Sequence, residues 1–408
     1  MFNYIKIEGF RGFKHVELDL SPLSVLIGPN GAGKSNLVDL LMLMSEAGNE
    51  QLSNGVYGRG GFQNIAFGFD PSQEVSVEVC FAKGVRPIWV VNPPSEEEHD
   101  KKERDVRFKI AMRSFVVGQF EISDELVREE SSTEPSLSID VVSRDRSVSG
   151  AVFRRRGDSD AIHDEPKYNL RSGELAIAQV KDASKYPAAT AVLRDLQEWA
   201  FYRDIDVGPG SPVRQPAILK PGFRLLPDGG NLSSFLYSIQ QDQPDTWDEI
   251  LEICKTAYPD FRTLTIPAGG GDGKVIVRWW EKHHERKGGL SANLLSDGTL
   301  KLLCLIAILK SPFPPPLICI DEPELGLHPD WIKLVAEMMQ SAAARTQLIV
   351  ATHSPHIVAR LEPEQVIVAE KENGETRLRR LQTQELGKWL NEFNLSDLWL
   401  AGHLGGRP

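Results

Sequence analysis

The residues best suited to chemistry form one glycine-rich stretch, GPNGAGKS, at positions 28–35. Its glycines allow backbone conformations in which successive N–H groups point inward, which makes a nest for a phosphate group. The ammonium group of Lys34 can then bridge the β- and γ-phosphates, and the hydroxyl of Ser35 can ligate Mg²⁺. We therefore predict an ATP site whose contacts come from Asn30, Gly31, Ala32, Gly33, Lys34, Ser35 and Asn36.

Carboxylates for such a site are supplied by PPLICIDEPELGLHP, residues 315–329. Its apolar residues lead directly into Asp321 and Glu322, which predicts a buried strand with two acids at its C-terminal end. Asp321 is suited to hold Mg²⁺, and Glu322 to polarise the attacking water as a general base. A strand that merely ends in an acidic turn is the alternative, and the glycine-rich loop favours the catalytic interpretation.

Two further motifs add groups that can meet a triphosphate. In LLSDGTLKLLCLIAIL (294–309), Ser296 is a predicted helix N-cap and Gly298 frees N–H groups of the first turn, which makes a second anion site. In QLIVATHSPHIV (347–358), a buried strand ends near His353, whose imidazole could sense a γ-phosphate. Alone, Ser296 is an ordinary cap and His353 an ordinary strand-end histidine, so the order of the motifs along the chain carries the prediction.

Periodic stretches around these motifs predict the elements that hold them. LSVLIG (23–28) is typical of a strand that enters the glycine-rich loop, and NLVDLLMLMSEA (36–47) has the period of a helix that leaves it. Residues 75–155 contain alternating stretches that predict an antiparallel sheet, interrupted by a charged loop at 93–105. Residues 173–205 have helical periodicity. The sequence therefore predicts an α/β protein with a β-rich insertion.

Composition limits the remaining classes of function. The 408 residues are 41% hydrophobic and 25% charged, as in ordinary globular proteins. Because the sequence has no run of about 18 apolar residues and no secretory signal, we expect a cytoplasmic protein without a membrane partner. A net charge of −11 argues against a uniformly basic surface for nucleic acid but leaves a local basic groove open. No CxxC pair occurs, so we expect buried reduced thiols at Cys80, Cys254, Cys304 and Cys319.

The order of the motifs resembles that of ABC-type ATPases, in which Walker A, signature, Walker B and switch histidine follow one another. This resemblance implies a P-loop NTPase fold: an ABC-type head with a mixed sheet, a flanking antiparallel β-subdomain and a helical lobe. It also implies an ATP-dependent head-to-tail homodimer in which Ser296 and Gly298 act in trans. The signature reads LSDGT rather than LSGGQ, so Asp297 would repel ATP unless its carboxylate turns away.

The segment FRGF (10–13) and the RGG-containing YGRGGFQNIAFG (57–68) resemble elements of the RecF and SMC branch of these ATPases. The resemblance implies that Arg59 is a cis arginine finger, with a solvated loop arginine as the alternative. It also implies that Gln179 is the Q-loop residue that senses metal and water, with a helix-surface glutamine as the alternative. Because no heptad pattern is sustained, we expect no long coiled-coil arms.

Across nearly the whole chain the sequence is similar to compact bacterial ATPases of the AAA type, related to the ATPase part of overcoming-lysogenization-defect proteins. The chain after His353 is too short for the Toprim nuclease domain of some relatives, so we expect nuclease activity only from another chain. We divide the sequence into the first part of the head with Walker A (1–83), an inserted β-rich and helical lobe (84–285), and the second part of the head (286–408).

The resemblance implies an ATP-hydrolysing switch or sensor that uses Mg²⁺ and passes its output to DNA or to a small effector protein encoded nearby, in phage defence or DNA repair. Two alternatives stay open. One is the nucleotide-binding subunit of a membrane transporter, which the FRGF and RGG elements and the large insertion disfavour. The other is a non-hydrolysing scaffold, which a measured release of phosphate would eliminate.

Overall fold

A computed structural model describes residues 1–82, 104–116, 118–130, 138–144, 150–156, 162–168, 170–180, 182–267, 273–283 and 289–406. The charged loop predicted at 93–105 lies outside these residues except for its last two positions. In chain order the strands are β1 (Phe2–Phe10), β2 (Phe13–Asp19), β3 (Leu23–Ile27), β4 (Val75–Phe81), β5 (Asp105–Val116), β6 (Gln119–Glu130), β7 (Ile139–Arg144), β8 (Gly150–Arg156), β9 (Ile162–Tyr168), β10 (Ala200–Tyr202), β11 (Ala217–Ile218), β12 (Phe261–Thr265), β13 (Lys274–Val275), β14 (Arg278–Glu281), β15 (Leu290–Ser291), β16 (Leu317–Asp321), β17 (Gln347–Ala351), β18 (Val366–Glu372) and β19 (Glu375–Arg380).

The α-helices are mostly short. In chain order they are α1 (Lys34–Gly48), α2 (Leu52–Gly58), α3 (Phe62–Ile65), α4 (Pro187–Glu198), α5 (Leu232–Asp242), α6 (Pro244–Ala257), α7 (Asp297–Leu309), α8 (Pro329–Ala343), α9 (Pro355–Val358), α10 (Thr383–Leu386) and α11 (Leu395–Leu400). Among the helices in the described part of the chain, none is both long enough and apolar enough to cross a membrane.

The chain folds into two compact units, each built from separate stretches of sequence. The first unit contains residues 1–21, 28–199 and 367–381. Its main element is an antiparallel sheet with the strand order β2-β1-β4-β5-β6-β7-β8-β9. Side chains alternate between its faces as the sequence pattern predicts, and apolar residues of β4 and β5 line a core together with those of α1. The hairpin β18–β19 belongs almost entirely to this unit.

The predicted helix over 173–205 forms only in part. Helix α4 begins at Pro187, at a position where proline is favoured because its missing N–H would have no partner in any case. Before it, the chain makes a single 3₁₀ turn at Ala176–Gln179. This turn is fixed by tertiary hydrogen bonds to the buried Glu125, which periodicity cannot detect.

The second unit contains residues 22–27, 200–366 and 382–408. Its parallel strands lie in the order β10-β16-β17-β3. Every residue of β3 and β17 is buried, which is why these strands read as continuous apolar runs instead of alternating ones. In the register of this sheet, Val350 pairs with Ile320 on one side and with Val25 on the other. The carboxyl ends of β3, β16 and β17 therefore share one edge.

The prediction of buried thiols is confirmed. Cys80, Cys254, Cys304 and Cys319 are all buried and none forms a disulfide. Burial raises the pKa of Cys254 and of Cys304 to about 12, so these thiols stay protonated and unreactive at neutral pH. The three segments predicted from the motifs, 1–83, 84–285 and 286–408, follow chain order and differ from the two compact units; they stay a prediction.

Candidate functional site

The glycine-rich loop begins at the residue that follows β3 and ends in the first turn of α1. Gly31 and Gly33 have φ angles of 78° and 102°, in the left-handed region that favours glycine. At position 33 a Cβ atom would lie 2.5 Å from the hydroxyl oxygen of Thr376 in β19. Only glycine therefore fits at this position of the loop.

Lys34 is the first residue of α1 and is only 6% exposed. Its ammonium group donates hydrogen bonds to the carbonyl oxygens of Gly28 (2.8 Å) and Pro29 (3.1 Å), and so lies folded over the loop. Ser35 and Asn36 follow in the first turn of the helix. The loop residues fit a triphosphate, because a fixed cation, a hydroxyl and a glycine nest come together within a few residues.

FRGF forms the tight turn between β1 and β2, with Phe10 paired to Phe13. Arg11 has a φ of 46°, a strained value for a residue with a side chain. Its backbone N–H donates to the carbonyl oxygen of Ile65 (2.8 Å), which holds the turn. Its guanidinium forms an ion pair with Asp39 (2.8 Å) and a long hydrogen bond to Asn36 (3.4 Å), both on α1. The turn therefore presents an arginine to the helix that follows the glycine-rich loop.

Arg59 contacts the same side of helix α1 as Arg11, since both arginines pair with Asp39. Its guanidinium is 9% exposed and pairs with Asp39 (3.0 Å) and Glu46 (2.6 Å). Burial lowers the pKa of Arg59, but hydrogen bonds to the two carboxylates outweigh this effect and leave the pKa raised. The alternative of a solvated loop arginine is therefore wrong. The role of arginine finger stays a prediction, and it requires Arg59 to exchange these carboxylates for phosphate.

Gln179 lies at the end of the 3₁₀ turn in the first unit, where its side-chain amide donates to Glu174. The turn is held from the antiparallel sheet. The fully buried carboxylate of Glu125, in β6, accepts hydrogen bonds from the N–H groups of Ala176 (2.6 Å) and Ile177 (2.9 Å). A tertiary contact thus holds the 3₁₀ turn that ends at Gln179, and the role of Gln179 as the Q-loop residue stays a prediction.

The stability of the first unit should depend on pH through Glu125. Burial raises its pKa from 4.5 to about 7, against the opposing effect of the two N–H donors and Arg144. The folded protein therefore binds more protons than the unfolded chain in this range, so stability falls as pH rises from 4.5 to about 7 and stays lost above it. The loss amounts to about 3 kcal/mol.

The test is urea unfolding of the wild type and of Glu125→Gln at about pH 5 and about pH 8. For each protein the two measurements give the slope of the free energy of unfolding against pH. The variant should lack the Glu125 contribution to the slope, because its amide carries no charge. Glu17→Gln, at a half-exposed position in the same sheet, should keep the wild-type slope. Equal slopes in wild type and Glu125→Gln would contradict the assignment.

The predicted acids lie in the second unit. Strand β16 ends at Asp321, and Glu322 follows with a φ of 49°, in the left-handed region. The backbone N–H of Glu322 donates to the carbonyl oxygen of Ala351 (2.8 Å), which fixes this conformation. Its carboxylate approaches the Nε2 atom of His353 to 4.0 Å. A left-handed backbone is strained at a residue with a side chain such as Glu322, and strain of this kind clusters at functional sites.

Glu324 is a further residue of this cluster that the sequence did not single out. One of its carboxylate oxygens, Oε1, accepts hydrogen bonds from the Thr352 hydroxyl (2.7 Å) and from the His353 N–H (2.8 Å). Its other oxygen, Oε2, is buried and has no hydrogen-bond partner among the residues that the structure describes. Glu324 thus fixes the chain that carries His353. The only sequence signal for it was its position in DEPE, next to the predicted acids.

The signature residues also lie in the second unit. As predicted, the Ser296 hydroxyl caps α7 by accepting a hydrogen bond from the Thr299 N–H (3.2 Å). At Gly298 a Cβ atom would lie 3.0 Å from the carbonyl oxygen of Gly326. The carboxylate of Asp297 forms an ion pair with Arg214. This carboxylate therefore has a cationic partner in its own chain, and its turning away from ATP stays a prediction.

Comparison with known proteins identifies one family and a set of similar structures. The family model described as "AAA domain, putative AbiEii toxin, Type IV TA system" matches residues 23–359. A solved SMC head bound to the C-winged helix domain of ScpA has 14% identity and a TM-score of 0.55, over 95% of this chain and 99% of that chain. An SMC head with an extended coiled coil, bound to the C-terminal domain of ScpA from Pyrococcus furiosus, has 12% identity and a TM-score of 0.56, over 96% and 98%.

No curated protein matches the sequence. The structural likenesses confirm the predicted fold, that of a P-loop α/β head of the SMC and RecF type with an antiparallel sheet. The family match covers the phosphate loop, the signature, the acidic strand and the histidine, and it makes the chain a nucleotide-binding protein of the ATPase class.

Proposed function

Because this chain belongs to the family described as "AAA domain, putative AbiEii toxin, Type IV TA system", we propose that it is an ATP-hydrolysing switch whose two copies pair head to tail around ATP. One observation carries this proposal. Strands β3, β16 and β17 are parallel neighbours, and the phosphate loop, the Asp321–Glu322 pair and His353 follow their respective carboxyl ends. Ligands of open α/β sheets bind at this edge.

The chain's own residues divide the work of hydrolysis. Lys34 and the loop N–H groups hold the β- and γ-phosphates of ATP. Glu322 accepts a proton from water while the water oxygen bonds to the γ-phosphorus and the bond to the bridging β–γ oxygen breaks, which leaves ADP and phosphate. The imidazole of His353 contacts the γ-phosphate and senses its presence. Mg²⁺, when bound through Ser35, Asp321 and the sensing residue Gln179, supplies positive charge that neutralises the phosphates.

The second copy completes the site in this proposal. Ser296 and Gly298 at the start of α7 would meet the γ-phosphate held by the partner's loop. The N-terminal end of a helix of this length favours an anion through its dipole and its open N–H groups. Hydrolysis removes the γ-phosphate and so separates the heads.

We extend the proposal to an output through DNA or through an effector protein, in phage defence or DNA repair. The two SMC heads of similar fold are bound to ScpA domains, which supports a protein partner for this head as well. The six arginines of the basic runs FRRR (153–156) and RLRR (377–380) could contact DNA.

The proposal is tested on the wild-type protein with ATP, with ADP and without nucleotide, each with Mg²⁺. We expect phosphate release that depends on time and ATP, and dimers detected by light scattering only with ATP. Dimers without phosphate release would support the scaffold alternative. Monomers throughout, without phosphate release, would contradict the proposal.

A further inference from the structure

Arg214 is a buried cation that ties a loop of the second unit to the signature. It ends a 3₁₀ turn at Pro212–Arg214, and its side chain is 8% exposed. The Nε atom donates to the carbonyl oxygen of Val207 (2.7 Å), with a second contact to that of Gly208 (3.2 Å). The Nη1 atom donates to the carbonyl oxygens of three residues just before the signature serine, Ala292 (3.3 Å), Asn293 (3.3 Å) and Leu295 (2.8 Å).

The remaining nitrogen of the guanidinium, Nη2, pairs with the carboxylate of Asp297. Asp297 stands between Ser296 and Gly298, and its side chain is 65% exposed. If only water surrounded this carboxylate, it would be free to rotate toward Ser296. Arg214 cannot follow it, because its planar fork is already fixed by carbonyl oxygens on both sides. The arginine therefore sets the direction of the acid.

We propose that Arg214 is a positioning residue that holds the Asp297 carboxylate away from the triphosphate, so that an acidic signature can accept ATP. The inference rests on the proposed function, since it concerns the contact of the signature with the partner's nucleotide. Two like charges about 8 Å apart, at an effective dielectric constant of about 20, repel by an amount that equals roughly 30-fold in a binding constant. Pairing with Arg214 removes this penalty.

A purely structural role for Arg214 makes a different prediction. If the guanidinium only ties the 207–208 loop to residues 292–295, its loss disturbs packing, and the charge at position 297 does not matter. If it directs Asp297, neutralising the acid removes the need for the arginine. The two roles are therefore separated by a double-mutant cycle between Arg214 and Asp297.

The cycle is measured in the Glu322→Gln background, where hydrolysis does not obscure assembly. The variants are Arg214→Gln, Asp297→Asn and both together, and the readout is the ATP concentration that gives half-maximal dimer by light scattering. We expect Arg214→Gln to raise this concentration roughly 30-fold. The double variant should return to within about threefold of the parent, as should Asp297→Asn alone.

An unrescued double variant, as impaired as Arg214→Gln, would overturn the inference and leave Arg214 a packing residue. If Arg214→Gln melts well below the parent, Arg214→Lys replaces it. Lysine keeps the positive charge but not the planar fork, so we expect Arg214→Lys to raise the ATP concentration for half-maximal dimer less than Arg214→Gln does. Adding Asp297→Asn should again remove this rise. A rise that persists in the double variant would also overturn the inference. A parent that does not dimerise with ATP contradicts the proposed function itself, before any change at Arg214.

Discussion

Replacing Glu322 with glutamine is expected to lower phosphate release by at least about 100-fold and to make ATP-dependent dimers accumulate. The amide has nearly the shape of the carboxylate but cannot accept the proton of the attacking water. ATP therefore still closes the two heads, while the step that opens them is blocked. The measurement is phosphate release, followed by light scattering of the same samples with ATP and Mg²⁺.

The matched control is Glu337→Gln, which makes the same chemical change at an exposed position of α8. It should release phosphate at the wild-type rate and show no excess of dimer. Wild-type hydrolysis in Glu322→Gln would remove the general-base role from this residue. Loss of hydrolysis without dimers would remove the composite site and leave a monomeric ATPase.

Lys34→Ala should weaken ATP binding by at least about 100-fold and abolish ATP-dependent dimers. Removing one partner of a buried, hydrogen-bonded charge pair costs about 3 kcal/mol, which corresponds to that factor. The change also takes away the group that donates to Gly28 and Pro29 in the loop, so the cradle itself loses a support. Titration of a fluorescent ATP analogue measures the affinity directly.

Lys333→Ala is the control for this change, because Lys333 is a half-exposed lysine on α8. It should bind the analogue as the wild type does. If Lys34→Ala bound ATP with wild-type affinity, the glycine-rich loop would not be the phosphate site. Combined with Glu322→Gln, Lys34→Ala should keep the protein monomeric, since closure requires bound ATP.

The sequence predicts the elements whose structure depends on the residues of a single stretch. The apolar runs of β3, β16 and β17 predicted buried strands, and GPNGAGKS predicted the loop, because each depends on residues within one stretch. Partnerships across the chain were not predictable. Arg214 meets Asp297 across 83 positions, and neither stretch contains a sign of the other. Glu324 was not predicted for the same reason, since its partners Thr352 and His353 follow β17, a different element of the chain.

Local pattern also failed where tertiary contacts replaced it. Residues 173–205 have helical periodicity, but Ala176–Gln179 form a 3₁₀ turn that the buried Glu125 holds through Ala176 and Ile177. Helix propensity is a weak guide when a fully buried carboxylate accepts two hydrogen bonds from the backbone. Gln179 therefore occupies a rigid turn and not the helix face that the sequence offered as an alternative.

Thr376 lies between the FRGF turn and the glycine-rich loop, and it leaves little room for variation on either side. Its hydroxyl would stand 2.5 Å from a Cβ atom at Gly12 and equally close to one at Gly33. Its own N–H donates to the carbonyl oxygen of Gly12 (2.7 Å). Glycine is already the smallest residue, so only position 376 can shrink to compensate for a larger neighbour. A smaller residue at 376 could therefore make room for a side chain at position 12, whereas position 33 stays glycine in either case because its φ of 102° disfavours a side chain.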